Sequence, residues 1–100
     1  MARLRIAGIR DVEPGAGRLV EAGGKTLALF NVDGTLHAID NTCSHRGGPL
    51  AEGELDGPLV ACPWHGWRWD VTTGANAANA SVRLGYYPVT VEGDAVFVDL

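Results

Sequence analysis

The sequence has no apolar run approaching the length that spans a bilayer, and none near its start, MARLRIAGIR, long enough for a signal peptide. A membrane partner is therefore not expected, and a cytoplasmic location is. Cationic side chains are scarce too. Eight Lys and Arg against twelve Asp and Glu leave a formal charge of −4, which argues against a nucleic-acid groove. Cysteine is scarcer still, at two in 100 residues. In a reducing compartment two thiols favour metal or redox chemistry over a structural disulfide. The length is that of one domain, and 46% hydrophobic residues suffice for one modest core.

Glycine, by contrast, is plentiful. Fourteen Gly and five Pro leave little room for a long helix. Short alternating apolar runs, cut by Gly, Pro, Asn and Asp, predict strands at Leu4–Ala7, Arg18–Glu21, Thr26–Val32, Thr35–Asp40, Pro58–Ala61, Trp67–Val71, Tyr86–Val91 and Ala95–Val98. VDGTL (Val32–Leu36) and VEGDAV (Val91–Val96) carry hairpin turn chemistry. There is no internal repeat, and GANAANAS (Gly74–Ser81) is the one mildly biased segment, good for a turn at most. The expected class is all-β.

The whole thiol content sits in two Cys–His pairs, in NTCSHRGGPL (residues 41–50) and ACPWHGWRWD (residues 61–70). The pattern is Cys43-x-His45, sixteen residues, then Cys62-x-x-His65. Each pair can reach one centre from a single tight turn, at either side of the Pro58–Ala61 strand. Thiolate and imidazole together suit zinc or an iron–sulfur cluster. A Cys₂His₂ zinc-binding interaction module and a bland pair of buried cysteines with surface histidines are the alternatives. Against zinc stands the single-residue spacer of the first pair. Gly47, Gly48 and Gly66 would let the backbone approach an inorganic core closely, and Pro49 and Pro63 would stiffen the loops.

CSHRGGPL and CPWHGWRWDVTTG, with LDG before the second motif and YYPVTVEGDAVFV after it, resemble the Rieske-type ferredoxins and domains over nearly the whole chain. The resemblance implies one [2Fe–2S] cluster, with Cys43 and Cys62 on one iron and His45 and His65 on the other. It implies an antiparallel β-sandwich base from residues 1–40 and 82–100, with a small inserted cluster-binding subdomain, residues 41–81. Trp64, between two ligands, is expected to shield the cluster or face a partner, with Arg46 beside it. Trp67 and Trp69 read as core residues on a strand, His37 as a satisfied or surface histidine, and Asp70 as turn chemistry.

Three histidines, two of them spent on a cluster, cannot also build the mononuclear iron site of a terminal oxygenase. The resemblance then points to a soluble monomeric carrier with no substrate-converting site, similar to the ferredoxin component of ring-hydroxylating dioxygenase systems. Its partners would be a reductase and a terminal oxygenase. The rival within the family is the small subunit of an assimilatory nitrite reductase. A proline-rich cover is usual in the family. Here GANAANASVRLGYYP supplies none before Pro88, and looser cover is expected. The respiratory members carry a loop disulfide and Ser and Tyr hydroxyls near the sulfurs. The matching positions here hold Gly48 with Trp64, and Trp67 with Trp69. Fewer donors to sulfur stabilise the reduced cluster less. A redox titration at neutral pH should therefore give a midpoint near the low end of the Rieske range, about −150 mV, and a clearly positive value would contradict this.

Overall fold

The computed structural model describes residues 3–42, 48–64 and 66–100. The strands are β1 (Arg3–Gly8), β2 (Gly17–Ala22), β3 (Lys25–Val32), β4 (Thr35–Asp40), β5 (Glu54–Asp56), β6 (Leu59–Ala61), β7 (Arg68–Asp70), β8 (Tyr86–Tyr87), β9 (Val89–Glu92) and β10 (Ala95–Asp99). Single 3₁₀ turns at Ile9–Asp11 and Leu50–Glu52 are the only helical elements among the described residues. The strands form three sheets ordered β1-β10-β9, β2-β3-β4-β8 and β5-β6-β7, each pair antiparallel. The all-β expectation holds. Among the described residues no helix is long and apolar enough to cross a membrane.

β3 organises the packing. Five successive residues, Leu27 to Asn31, are buried, which a strand can achieve only when both its faces are covered. On one face Leu27 and Leu29 join Val20, Ala22, Leu36 and Ala38 of their own sheet and Ala7, Val96 and Val98 of the β1-β10-β9 sheet. That is the core of the sandwich. On the other face Ala28 and Phe30 pack with Ile39, Leu50, Val60, Cys62, Trp69, Val71 and Leu84. The second core lies beneath the third sheet and contains one of the two cysteines.

Turn chemistry sets the registers. Val32 pairs with Thr35, so Asp33 and Gly34 form a two-residue loop, both left-handed at φ 51° and 93°. This is the turn that matches strand twist. Asn31 Oδ1 accepts the Gly34 N–H at 2.7 Å. The expected Pro58–Ala61 strand begins one residue later, because Gly57 and Pro58 form the turn between Asp56 and Leu59. Its partner β5 was not anticipated, since Glu-Leu-Asp is short and mostly polar. The expected Tyr86–Val91 strand is interrupted at Pro88, which lacks an N–H to donate. β8 pairs with β4 and β9 with β10, so the chain changes sheet there.

A carboxylate latches this return. Tyr87 Oη donates to Asp40 Oδ1 at 2.7 Å, and the Gly85 N–H donates to Asp40 Oδ2 at 2.8 Å. Burial, then the bond to Asp40 and its charge, push the Tyr87 phenol up to about 12. The folded state thus holds this proton more tightly than the unfolded chain, whose phenol titrates near 10. The stabilisation is complete below pH 10 and is lost as the pH rises towards 12. Unfolding followed against pH should show that loss. Tyr87→Phe should abolish it and destabilise the protein at pH 7 by about 1–3 kcal/mol, since the buried side of Asp40 loses its partner.

Candidate metal centre

Two loops leave the second core at neighbouring points. The first spans the end of β4 to the Leu50–Glu52 turn, and its stem is pinned. Asn41, which is buried, receives the Leu50 N–H on its carbonyl at 2.8 Å and the Ala51 N–H on Oδ1 at 2.9 Å. Thr42 and Pro49 then pair as an antiparallel bridge. Cys43, His45, Arg46 and Gly47 lie outside the described residues. The described residues on either side of them, Thr42 and Pro49, are held together.

The second loop follows β6. The Cys62 N–H donates to the Trp67 carbonyl at 2.7 Å, and the Gly66 N–H donates back to the Cys62 carbonyl at 2.9 Å. Gly66 takes φ 80° there, a conformation that costs a side-chain-bearing residue energy. Cys62 is buried in the second core. His65 lies outside the described residues. Of the four expected ligands, then, the structure places Cys62.

The loops touch. A Cβ on Gly48 would overlap Cys62 Sγ and come within 3.3 Å of Trp64 Cγ. Gly48 is a residue of the first loop and is itself buried. Only a residue without a side chain lets the first loop lie this close to the second loop's thiol. Among the described residues no three His, Cys, Asp or Glu form a group able to hold a metal. His37 is elsewhere, on β4, with Nδ1 2.9 Å from Tyr86 Oη. Burial lowers its pKa, and Asp70 opposes that shift. It is a satisfied histidine, as expected. Asp70 is turn chemistry, also as expected: its Oδ1 accepts the Thr72 N–H at 2.8 Å and the Thr72 hydroxyl at 2.6 Å.

The three tryptophans divide, and of the two expected in the core, Trp67 and Trp69, Trp69 alone is there. Trp64 is 63% exposed and Trp67 40%, whereas Trp69 is wholly buried. Trp69 pairs with Val60 across β6 and β7, and the bond from Cys62 to Trp67 extends that ladder by one step. By strand alternation Val60, Cys62 and Trp69 share the inner face, and all three belong to the second core. The Trp69 Nε1 is the one buried side-chain nitrogen or oxygen left without a hydrogen-bond partner among the described residues. Such an orphan costs about 1–3 kcal/mol. The expectation of fewer donors to the sulfurs leaves this N–H out of account.

The proline-free segment is not slack. The Ala77 N–H donates to the Arg68 carbonyl at 2.9 Å, and Asn76, buried, accepts the Ala78 and Asn79 N–H groups on Oδ1. Asparagine side chains do the ordering that proline would do by restricting φ. A groove of about 550 Å³ remains between this segment and the second loop, with Trp67, Ala77, Ala78 and Val82 in its walls.

A buried thiol, a glycine keeping space beside it and an unpartnered N–H on the same face fit a thiolate-held inorganic group. The comparisons with known proteins agree. The family model of the Rieske [2Fe-2S] domain matches residues 2–88. The ferredoxin component of the naphthalene 1,2-dioxygenase system of Pseudomonas aeruginosa is 42% identical over 82 residues, covering 81% of this chain and 79% of that one. A chain in the complex of reduced oxygenase and oxidised ferredoxin of carbazole 1,9a-dioxygenase superposes with a TM-score of 0.87 at 36% identity, covering 96% of this chain and 91% of that one. A nitrite reductase NADPH small-subunit protein superposes with a TM-score of 0.85 over the full length of both chains. At 20% identity it shows the shared fold alone. Gly48→Ala should drive a methyl into Cys62 Sγ, at a cost of about 1–3 kcal/mol in overpacking. Iron content and visible absorption should fall together, while His37→Gln should leave both at the wild-type level.

Proposed function

Because this chain belongs to the Rieske [2Fe-2S] domain family, we propose that it carries single electrons from a reductase to the terminal oxygenase of a ring-hydroxylating dioxygenase system. The observation that carries the reading is the abutment of the two ligand loops at Gly48 and Cys62, in a chain whose relatives are ferredoxin components of such systems. Cys43 and Cys62 would hold one iron through thiolate, and His45 and His65 the other through imidazole. Bound there, the group supplies one reversible electron. The residues of this chain bind it, keep water from the Cys62 side and offer it to a partner on the other. Residues 41–81 act as the cluster-binding subdomain on the sandwich base.

The chain converts no substrate of its own in this reading. His37 is the one histidine left after ligation, and it is engaged with Tyr86. We take the carrier to be monomeric and cytoplasmic, in keeping with two cysteines spent on metal. The nitrite reductase reading rests on fold alone, and the zinc reading lacks the support of the family match.

Iron and acid-labile sulfide should both be found at two per chain in protein purified without oxygen. Stoichiometric zinc without sulfide would end the proposal, and Cys62→Ser should lose the cluster together with local folding. Docking is set by exposure. Trp64, beside His65, stands 63% exposed at the tip of the second loop, a suitable apolar centre for a transient contact below about 1,200 Å². Electrons would leave through a histidine ring edge near it, with Arg46 at the rim. Trp64→Ala should therefore slow electron transfer to the oxygenase while leaving the cluster's spectrum intact. Wild-type transfer rates in that variant would place the docking face elsewhere.

A further inference from the structure

Hydrophobic burial accounts for the ring of Trp69 but not for its nitrogen. The indole is wholly buried, and its Nε1 is the one buried side-chain polar atom without a partner among the described residues. A phenylalanine would bury its own ring here without burying an N–H group. Buried donors are satisfied in the great majority of cases, so this one calls for an acceptor that is not an ordinary protein group. Its surroundings restrict what that acceptor can be. Trp69 faces Val60 across the ladder, with Cys62 two residues along on the same inner face. Long side chains reach such a diagonal neighbour. The apolar side chains of this core, Ala28, Phe30, Ile39, Leu50, Val71 and Leu84, carry no acceptor, and the Oδ1 of Asn76, which bridges with Trp69, already accepts the Ala78 and Asn79 N–H groups. Sulfur at the Cys62 position is the acceptor chemistry on hand.

We propose that the Trp69 Nε1–H donates a hydrogen bond to a sulfur on the Cys62 side of the cluster, the thiolate or a bridging sulfide, and by doing so raises the reduction potential. This rests on the ligation of the cluster by Cys62. Reduction adds negative charge to the sulfurs, so a donor aimed at them stabilises the reduced form more than the oxidised one. The effect is enhanced because the bond is shielded from water. Trp67 lies two residues away, its ring 6.3 Å from that of Trp69, but it is 40% exposed, so Trp69 is the wholly buried indole of the two. A sequence that lacks hydroxyls at the second loop thus retains one nitrogen donor, buried where a hydroxyl-free core would otherwise leave the sulfurs bare.

Trp69→Phe removes the N–H and keeps an aromatic ring. Iron and sulfide are measured first, since their absence from the wild-type protein would refute the ligation itself and not this bond. In cluster-replete Trp69→Phe the midpoint potential should move to a more negative value. Pulsed electron paramagnetic resonance of the reduced protein in D₂O should lose one exchangeable-proton coupling relative to wild type. A structural role would not produce that second change. Wild-type potential with all exchangeable couplings retained would overturn the proposal. Should Trp69→Phe fail to assemble, reduced wild-type protein labelled with ¹⁵N in its tryptophan rings decides the matter. One indole ¹⁵N coupling should be present and should survive in Trp67→Phe, and its absence would overturn the proposal equally.

Discussion

The two-faced burial of the β3 strand is the constraint on which the rest of the structure depends. Leu27 and Leu29 serve the sandwich core, and Ala28 and Phe30 the core beneath the metal site. Removing either set would leave a strand with one dry face exposed. Each fully buried large side chain contributes about 1.5–3 kcal/mol, so the two cores are strongly coupled through a single backbone. That coupling gives the site a rigid floor. Both ligand loops grow from elements seated on it, the first from the end of β4 and the second from β6. Asn41 and the Cys62–Trp67 ladder fix the stems of both loops to that floor.

Much of this was legible from the chain. VDGTL specified its turn because Asp and Gly tolerate the left-handed conformation that a two-residue hairpin requires. The run LALFNV was legible as a strand but not as the wall between two cores, since a continuous apolar run has no side of its own. β5 and the break at Pro88 were not legible as such, because three-residue strands and sheet changes are decided by tertiary pairing. At the site, the Cys–His pairs narrow the chemistry to zinc or an iron–sulfur cluster, and the family resemblance points to the cluster. What the spacing could not convey was contact. In the sequence Gly48 has a reason in close approach to an inorganic core, and the structure adds that it lies against the other loop's thiol.

The tryptophans show the same limit more sharply. WHGWRW places three indoles within six residues, of which Trp67 and Trp69 read as core and Trp64 as a shield or a partner-facing residue. Their environments differ because their cover differs: the rings of Trp67 and Trp69 lie 6.3 Å apart, but the second core closes over Trp69 alone. Trp69 sits on β7 and points inward by strand period, while Trp64 sits in the turn itself and Trp67 at the loop's closing bond. The chain thus carries two exposed indoles and one closed off from solvent within the second core.

That polarity has a consequence for how electron transfer is tuned. A group whose charge changes by one unit is sensitive to the dielectric on every side, and the two sides here are not alike. The Cys62 side is closed by Val60, Trp69 and Phe30, where any dipole acts at low dielectric and with fixed orientation. The side of Trp64 and Trp67 opens to solvent, where charges are screened and a partner can displace water. Changes on the inner face should chiefly alter the thermodynamics of reduction, and changes on the outer face chiefly the rate of transfer. The groove beside Trp67 adjoins the outer face, so substitutions in its walls at Ala78 or Val82 belong with the second class. The separation follows from β3: a strand buried on both sides gives the site one face that water never reaches.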